Sequence, residues 1–265
     1  MSPVAESPEL KSCCATLYES DFARLLLGDS FHPGGQRLTA RLAELMGLRA
    51  GVRVLDVASG KGESAIFLAS RFGCEVVGVD FGPENVREAA ARAEAAGVSK
   101  LVSFVQGDAE RIDFPDCSFD AIICECAFCT FPDKRAAAAE FARILRPRGW
   151  AGLSDLVRST ALSKELEGLL AWVACIAGAR PAEEYADYLR EAGMKEIYVE
   201  AHGEALTEMV RDIQAKLLGV ELMSKLKKIE FTGIDLEQAK SMARAASEAV
   251  REKRLSYAII VGQRA

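Results

Sequence analysis

Short apolar runs alternate with amphipathic stretches between residues 53 and 155, in the spacing expected for strands and helices. The strands predicted from the apolar runs are Arg53–Val57, Glu75–Asp80, Val102–Gln106, Phe119–Cys124 and Gly149–Asp155. The helices predicted between them are Ser64–Arg71, Pro83–Ala96 and Arg135–Leu145. Apolar strands separated by helices are typical of a parallel sheet with helices packed on both faces.

The alternation loosens after Asp155. Two further strands are predicted there, at Lys195–Glu200 and Leu255–Gln263. The helices predicted in this part are Leu162–Ala177, Ala182–Ala192, Ala205–Lys228 and Leu236–Lys253. The pattern therefore predicts an α/β fold with a doubly wound, mostly parallel, seven-stranded sheet and a helical insert before its last strand.

These elements divide the chain into four parts. We expect a core over residues 51–203, a helical insert over 204–254 and a last core strand over 255–265. Residues 1–50, with a helix predicted at Leu38–Leu48, form an N-terminal helical cap or arm over the carboxyl edge of the sheet.

The composition is that of an ordinary globular protein, with 50% hydrophobic and 27% charged residues among 265. The net charge is −6, and basic residues are scattered among acids except at Lys225–Lys228, which we interpret as a solvated helix face. We expect no nucleic-acid partner, because such proteins concentrate positive charge. The apolar segment Gly168–Ala179 is too short to span a membrane, and the first residues lack an export pattern, so we expect a soluble, cytoplasmic protein without a membrane partner.

A turn of small residues follows the first predicted strand, in the sequence VLDVASGKG from Val54 to Gly62. Such a turn lets a ligand approach the backbone and meet the N–H groups of the next helix. Asp80 ends the second strand, where an acid can accept hydrogen bonds from ribose hydroxyls. The spacing Gly60-x-Gly62-x-x-Ala65 also satisfies a dinucleotide fingerprint. Asp56, however, suits a cationic amino-acid ligand better than a pyrophosphate, which disfavours a nicotinamide enzyme.

The motifs VLDVASGKG, VVGVD, GDAE and ARILRPRG occur in an order that resembles the class I S-adenosylmethionine-dependent methyltransferases over about Arg53–Asp155. The resemblance implies a Rossmann-like fold with S-adenosylmethionine as cofactor. It places the methionine part at the Gly60/Gly62 turn, the ribose at Asp80 and the adenine edge at Asp108 and Ala109. Ala58 replaces the commoner first glycine. The candidate donor contacts are Asp56, Ala58, Ser59, Gly60, Gly62, Asp80, Phe81, Gly107, Asp108, Ala109, Cys124, Tyr18 and Gly35.

Eight cysteines stand against two histidines, an unusual ratio for a chain expected to stay reduced. Buried free cysteines can serve as small hydrophobic residues, the plainer interpretation for Cys124 or Cys129 taken singly. A zinc site at Cys124, Cys126 and Cys129 would need a fourth ligand from elsewhere.

A second resemblance concerns Cys126 and Cys175. The segment Glu125-Cys126-Ala127 followed by FPDK, and the segment around Cys175 (VACIAGA), are similar to the arsenite methyltransferases, as is the pair Cys13-Cys14. The resemblance implies that Cys126 and Cys175 are catalytic and that, with Cys13 and Cys14, they bind trivalent arsenic. It also implies a thiol reductant such as glutathione or thioredoxin. The chain departs from that family near Ala65, where a cysteine would be expected, and in its C-terminal part.

Two other classes of function stay open. The first is an O-, N-, C- or S-methyltransferase of a small organic metabolite, which for oxygen or nitrogen usually needs a proton acceptor. His32, in a glycine-rich turn, and Glu125 are the candidates, although a local structural role for His32 fits the sequence equally well. The second is a donor-binding or metalloid-binding protein without turnover.

Overall fold

The computed structural model describes residues 32–167, 171, 174–225 and 236–265. These residues contain a seven-stranded sheet of order β3-β2-β1-β4-β5-β7-β6, in which β7 runs antiparallel to β5 and β6. The strands are β1 (Arg53–Val57), β2 (Glu75–Asp80), β3 (Val102–Gln106), β4 (Phe119–Glu125), β5 (Leu145–Arg158), β6 (Met194–Ala201) and β7 (Leu255–Arg264). The predicted doubly wound, mostly parallel sheet is confirmed.

Helices cover both faces of the sheet. They are α1 (Gly35–Leu45), α2 (Glu63–Phe72), α3 (Pro83–Ala95), α4 (Lys134–Ile144), α5 (Ala182–Glu191), α6 (Gly203–Lys225) and α7 (Leu236–Arg251). One apolar core joins β4, β5 and β7 to α4 and α5, and a second joins β1 and β2 to α1 and α2. No helix in the described ranges is long and apolar enough to cross a membrane.

The order of the strands determines where a ligand can bind. The chain runs outward from β1 to β3 and then returns to place β4 on the other side of β1. Loops on either side of that reversal diverge, so a crevice opens at the carboxyl ends of β1 and β4. Because β1 and β4 are buried on both faces, their side chains at this edge have fixed positions.

Two expectations about helices change in the structure. The helix predicted at Leu162–Ala177 is wrong in two described parts, since Lys164–Leu166 form a 3-10 turn and residues 174–178 form turns. Of the expected cap, residues 1–31 lie outside the described residues. Leu42 of helix α1 and Met46, which follows the helix, pack on a face of the sheet, and Thr39 of α1 reaches the carboxyl edge.

Candidate active site

A cavity opens at the carboxyl edge of β1, β2 and β4, where the strand order predicts a ligand. Its walls come from the turn after β1, the ends of β2 and β3, and the loop after β4. The predicted donor contacts that line it are Asp56, Ala58, Ser59, Gly60, Asp80, Phe81, Gly107, Asp108 and Ala109. The strand ends therefore bring most of the predicted donor site together.

The turn after β1 holds the backbone in a tight left-handed path. Ala58, Gly60 and Gly62 have φ angles of +58°, +51° and +80°. This conformation costs a residue with a Cβ about 1–2 kcal/mol, so Ala58 stores strain that a glycine would not. Gly60 N–H donates to the Asp80 carboxylate over 2.8 Å, which ties the turn to the end of β2.

Asp56 is a buried carboxylate with spare acceptor capacity. Its side chain accepts the Ala65 N–H, while Oδ2 has no hydrogen-bond partner among the described residues. Burial, and then the nearby charges of Glu125 and Asp80, raise the pKa of Asp56 well above its usual value. A cation in the cavity would both pair with Oδ2 and favour the ionised form.

Asp80 and Asn85 form the wall beside it. The Asp80 carboxylate accepts hydrogen bonds from Gly60, Gly82 and the Asn85 amide over 2.8–3.0 Å. A carboxylate has about four acceptor sites, so one is left for a ligand hydroxyl. Asn85 Oδ1 is buried and has no partner within the described residues, although Asn85 lines the cavity. Burial raises the pKa of Asp80.

Glu125, at the end of β4, is held by three hydroxyl groups. Its carboxylate accepts hydrogen bonds from Thr39, Ser64 and Ser154 over 2.6–3.1 Å. His32 Nε2 lies 3.7 Å from Glu125 Oε2, and both side chains border the cavity. Because its acceptor sites are largely used, Glu125 is better suited to hold the floor of the site than to take up a proton.

Three cysteine thiols meet beside the cavity. The Cys175 thiol donates to the Cys126 carbonyl over 2.9 Å, and it lies near enough to the side chains of Cys126 and Cys129 to influence their pKa values. Cys126 borders the cavity, whereas Cys129 and Cys175 are buried behind it. We call these three residues the thiol cluster. Contact with Cys175 and burial raise the pKa of Cys126 well above the usual thiol value, and burial does the same for Cys129, so both are protonated in the free protein.

Backbone strain accompanies the thiol cluster. Cys126 and Cys175 have φ angles of +51° and +64°, a conformation that costs a non-glycine residue about 1–3 kcal/mol and persists only where surrounding contacts impose it. The fully buried Phe128 anchors the loop after β4, with its ring 5.9–6.0 Å from those of Phe141 and Tyr185.

Gly178 allows the turn that carries Cys175 to approach the loop after β4. A Cβ at this position would clash with the carbonyl oxygen of Cys129. We expect Gly178→Ala to lower the free energy of unfolding by about 1–3 kcal/mol, because the turn must move away from its packed position. Denaturant unfolding measures this change. Gly219→Ala is the matched control, since Gly219 lies in α6 with open space around it. Equal stability of the two variants would contradict the tight packing.

Asp155, inside β5 and three residues before its end, is fully buried against the thiol cluster. It accepts the backbone N–H groups of Cys129 and Leu156 over 2.9 and 2.7 Å. Burial, and then the nearby Cys175, raise the pKa of Asp155 to about 7.

This raised pKa predicts a pH-dependent stability. An unfolded aspartate titrates near 3.9, so folding takes up a proton between about pH 4 and pH 7, and the stabilisation present at low pH is lost as the pH rises. Relative to Asp155→Asn, the wild type should lose about 1.4 kcal/mol of unfolding free energy per pH unit in that window. Urea unfolding across the window measures the difference. Exposed Asp113→Asn should follow the wild type, and parallel curves for Asp155→Asn would overturn the assignment.

Comparison with known proteins relates part of the chain to a protein family. Residues 54–149 match the model of the methyltransferase domain family. The matched segment contains the turn after β1, Asp80, Asp108 and the loop after β4, so it holds most of the residues that line the cavity. The Rossmann-like fold predicted from the sequence is confirmed.

The curated proteins that are similar to this chain differ in their names and lengths. A 27-O-demethylrifamycin SV methyltransferase of Amycolatopsis mediterranei is 36% identical over 162 residues, 60% of this chain and 60% of the relative. The chain thus spans about 60% of the length of the curated relatives it matches first. Among solved structures, Haemonchus contortus phosphoethanolamine N-methyltransferase 2 superposes with a TM-score of 0.80 at 19% identity, covering 96% of this chain and 60% of that one.

The same fold also occurs in a protein named for another reaction. The cyclase SpnF superposes with a TM-score of 0.75 at 22% identity, covering 95% of this chain and 93% of that one. A fold of this kind therefore carries no activity by itself, and the function of the chain has to be argued from its site.

The structure separates the predicted site residues into three groups. Most of the predicted donor contacts and Cys126 line the cavity. Gly35, Gly62 and Cys124 are not among its lining residues, since Gly62 caps α2 and Cys124 is buried in the sheet. Tyr18, Cys13 and Cys14 lie outside the described residues. The described part contains no group of three or more His, Cys, Asp or Glu side chains arranged to hold a metal ion, so the zinc alternative has no support there.

Asn85 and the contact of Cys129 with Cys175 were missed from the sequence. The signal for Asn85 is an amide in the first turn of α3, directly after the loop that follows Asp80. The spacing of Cys129 from Cys126 indicates that these two residues share a loop. Nothing in the sequence indicates that Cys175 comes near both of them.

Proposed function

We propose that this chain is an S-adenosylmethionine-dependent methyltransferase that acts on a small acceptor. The donor carries an ammonium group and ribose hydroxyls, and the cavity offers groups that suit both. The free oxygen of Asp56 suits the ammonium group, while Asp80 and Asn85 offer acceptors for the hydroxyls. Partners for these buried atoms would remove a penalty of about 1–3 kcal/mol for each unsatisfied group.

The other residues of the cavity orient the donor. The small residues Ala58 to Gly60 leave the backbone open to close approach. Phe81, which is 39% exposed, offers an apolar face beside Asp108 and Ala109 for an adenine ring. When bound, S-adenosylmethionine supplies an electrophilic methyl group for an acceptor at the Cys126 side of the cavity.

We propose trivalent arsenic as this acceptor, held by Cys126 and Cys175. The observation that carries the proposal is the hydrogen bond from the Cys175 thiol to the carbonyl of Cys126, which places a second thiol next to the one that borders the cavity. Trivalent arsenic is soft and thiophilic, like the metals that thiolates select. The strained backbone at both cysteines supports the same interpretation, because such strain is concentrated at functional sites.

Arsenic as acceptor fits the acid–base character of the site. The lone pair of arsenic carries no proton, so its methylation needs no general base. This agrees with the position of Glu125, whose carboxylate already accepts hydrogen bonds from three hydroxyl groups. The chain then contributes mainly orientation, which for well-placed reactants is worth about 7–11 kcal/mol. An external thiol reductant, such as glutathione or thioredoxin, would keep the cysteines reduced.

Speciation of the products tests this function. The reduced protein is incubated with arsenite, S-adenosylmethionine and thiol, and methylated arsenicals are separated and quantified. We expect methylated arsenic that depends on the protein. Donor binding by calorimetry with no arsenical product would exclude arsenic as acceptor while retaining the methyltransferase, and arsenite binding without product would indicate a binding protein.

A small organic metabolite is the second candidate acceptor. His32 borders the cavity 3.7 Å from Glu125, and histidine is the commonest general base for oxygen or nitrogen acceptors. The names of the rifamycin and phosphoethanolamine relatives also favour this class. In that case His32→Ala should abolish transfer, while Cys126→Ser and Cys175→Ser should have modest effects.

A further inference from the structure

His32 borders the cavity, and its imidazole ring is held only loosely by the described residues around it. The residue is 8% exposed. Its Nδ1 lies 3.4 Å from the carbonyl oxygen of Pro33, and its Nε2 lies 3.5 Å from the hydroxyl of Thr39. Both distances exceed the range of about 2.7–3.2 Å that is usual for a hydrogen bond from nitrogen to oxygen. A buried ring with such weak partners can gain a stronger one from a ligand in the cavity.

The charges around the cavity make His32 a scarce kind of residue there. Acids predominate among the described residues that line it: Asp56, Glu63, Asp80, Asp108 and Glu125. In this described lining, His32 and Lys61 are the side chains that can carry a positive charge, and the Lys61 ammonium is paired with Glu88 over 3.0 Å. For a carboxylate that enters this acidic cavity, His32 is therefore the most available partner of opposite charge.

Groups that suit an α-amino acid lie next to one another at this edge of the sheet. Asp56 of β1 pairs in register with Ile123 of β4, two residues before Glu125. Glu125 Oε2 is in turn 3.7 Å from His32 Nε2. The ammonium and carboxylate groups of an α-amino acid are on one carbon atom, so their partners must also be close neighbours. Asp56 and His32 meet this condition, with Glu125 as their common neighbour.

The carboxylate beside His32 is fixed from the interior of the sheet. The hydroxyl of Tyr257, which is fully buried on β7, donates to Ser154 Oγ over 3.0 Å, and Ser154 donates to Glu125 Oε1 over 3.1 Å. Two further hydroxyl groups donate to Glu125 Oε2 over 2.6 and 3.0 Å. Glu125 therefore keeps a constant place beside His32, where its charge balances that of an imidazolium ring.

We propose that His32 binds the carboxylate at the amino-acid end of the donor, while Asp56 takes the ammonium group. The inference rests on the proposed function, and it assigns to His32 the selection of the donor instead of general-base catalysis. No bond forms or breaks at His32 in this role. Its loss should therefore lower the affinity for S-adenosylmethionine and leave methyl transfer nearly unchanged once the donor is saturating.

Decarboxylated S-adenosylmethionine tests the proposal, because it lacks only the carboxylate. It and S-adenosylmethionine are titrated by calorimetry into the full chain, as wild type, His32→Ala, His32→Gln and His202→Asn. We expect the wild type to bind S-adenosylmethionine at least about tenfold more tightly, although the loss of a negative charge by itself favours binding in an acidic cavity. This preference should fall below about threefold in His32→Ala and be intermediate in His32→Gln, whose amide can still donate. His202 is the other histidine and is not among the lining residues, so its variant should keep the wild-type preference.

Each variant is compared with itself on two ligands, so a general weakening of the fold does not imitate the expected result. An unchanged preference in His32→Ala would overturn the inference and place the carboxylate elsewhere in the cavity. Equal affinity of the wild type for the two compounds would also overturn it, while leaving the proposed donor in place. Failure of the wild type to bind either compound would overturn it together with the proposed function.

Two further measurements separate donor recognition from other roles of His32. The chain has two histidines, so their imidazole signals can be followed by NMR in the wild type, with His202→Asn providing the assignment. We expect the His32 signal to shift with S-adenosylhomocysteine and not with 5′-methylthioadenosine, which lacks the amino-acid end. At saturating donor, His32→Ala should keep kcat within about threefold of the wild type. An unmoved His32 signal, or a large loss of kcat at saturating donor, would overturn the inference.

Discussion

Cys126→Ser should reduce the formation of methylated arsenic by about a thousandfold or more while leaving the affinity for S-adenosylmethionine within about twofold. The serine keeps the size of the side chain at a position that borders the cavity, but its hydroxyl does not bind arsenic as a thiolate does. The acceptor then loses its fixed place beside the donor, and most of the orientation that catalysis depends on goes with it. Product speciation and donor calorimetry measure the two quantities.

Cys175→Ser should also reduce the formation of methylated arsenic while leaving the affinity for S-adenosylmethionine nearly unchanged, since the Cys175 thiol contacts Cys126. Cys117→Ser should behave as the wild type, because Cys117 is exposed and its sulfur accepts a hydrogen bond from Arg264, away from the cavity. If all three variants kept wild-type activity toward arsenite, the cysteines would be packing residues. A loss confined to His32→Ala would instead move the acceptor to the organic class.

The strands were predictable because their burial is visible in the sequence. The runs at Arg53–Val57 and Glu75–Asp80 are observed with the predicted bounds, since a strand covered on both faces must be apolar along its length. The first long departure is β5, predicted as Gly149–Asp155 and observed as Leu145–Arg158. Its additional residues include Pro147 and Arg148, and a proline beside a charged residue does not give the apolar pattern that predicts a strand.

The failed helix at Leu162–Ala177 has a different cause. The apolar run in this segment predicts a buried helix. The described residues 174–178 instead form turns, with Cys175 in a left-handed conformation. That turn is stabilised by the Cys126 carbonyl and by the approach of Gly178 to Cys129, contacts between distant parts of the chain. Local periodicity carries no information about such contacts.

The lining of the cavity was largely predictable and the thiol cluster only in part, for the same physical reason. Parallel strands bring their carboxyl ends to one edge, so the residues after β1, β2 and β3 had to meet there once the strands were known. Cys126 follows β4 and obeys that rule. Cys175 lies well beyond the end of β5 rather than directly after a strand, so its contact with Cys126 depends on how the connection after β5 packs.

Asp80→Asn should weaken the binding of S-adenosylmethionine by about ten- to a hundredfold, because a hydrogen bond to a charged group contributes about 1.5–3 kcal/mol. The amide keeps the shape of the carboxylate but replaces one oxygen by a donor. One of Gly60, Gly82 and Asn85 then loses its acceptor, and the site facing the ribose hydroxyls is weakened too. Calorimetry with S-adenosylmethionine and with S-adenosylhomocysteine measures the loss.

Two controls separate this loss from a general weakening of the fold. Asp113→Asn makes the same chemical change at an exposed position and should leave donor affinity unchanged. In Asp80→Asn, arsenite binding to the thiol cluster should be retained, since Asp80 lies at the end of β2 and the cysteines lie beyond β4 and β5. Retained arsenite binding with weakened donor binding would locate the two ligands in separate parts of the cavity. Donor affinity within twofold of the wild type would remove Asp80 from the donor site and leave Asn85 as the group that faces the hydroxyls.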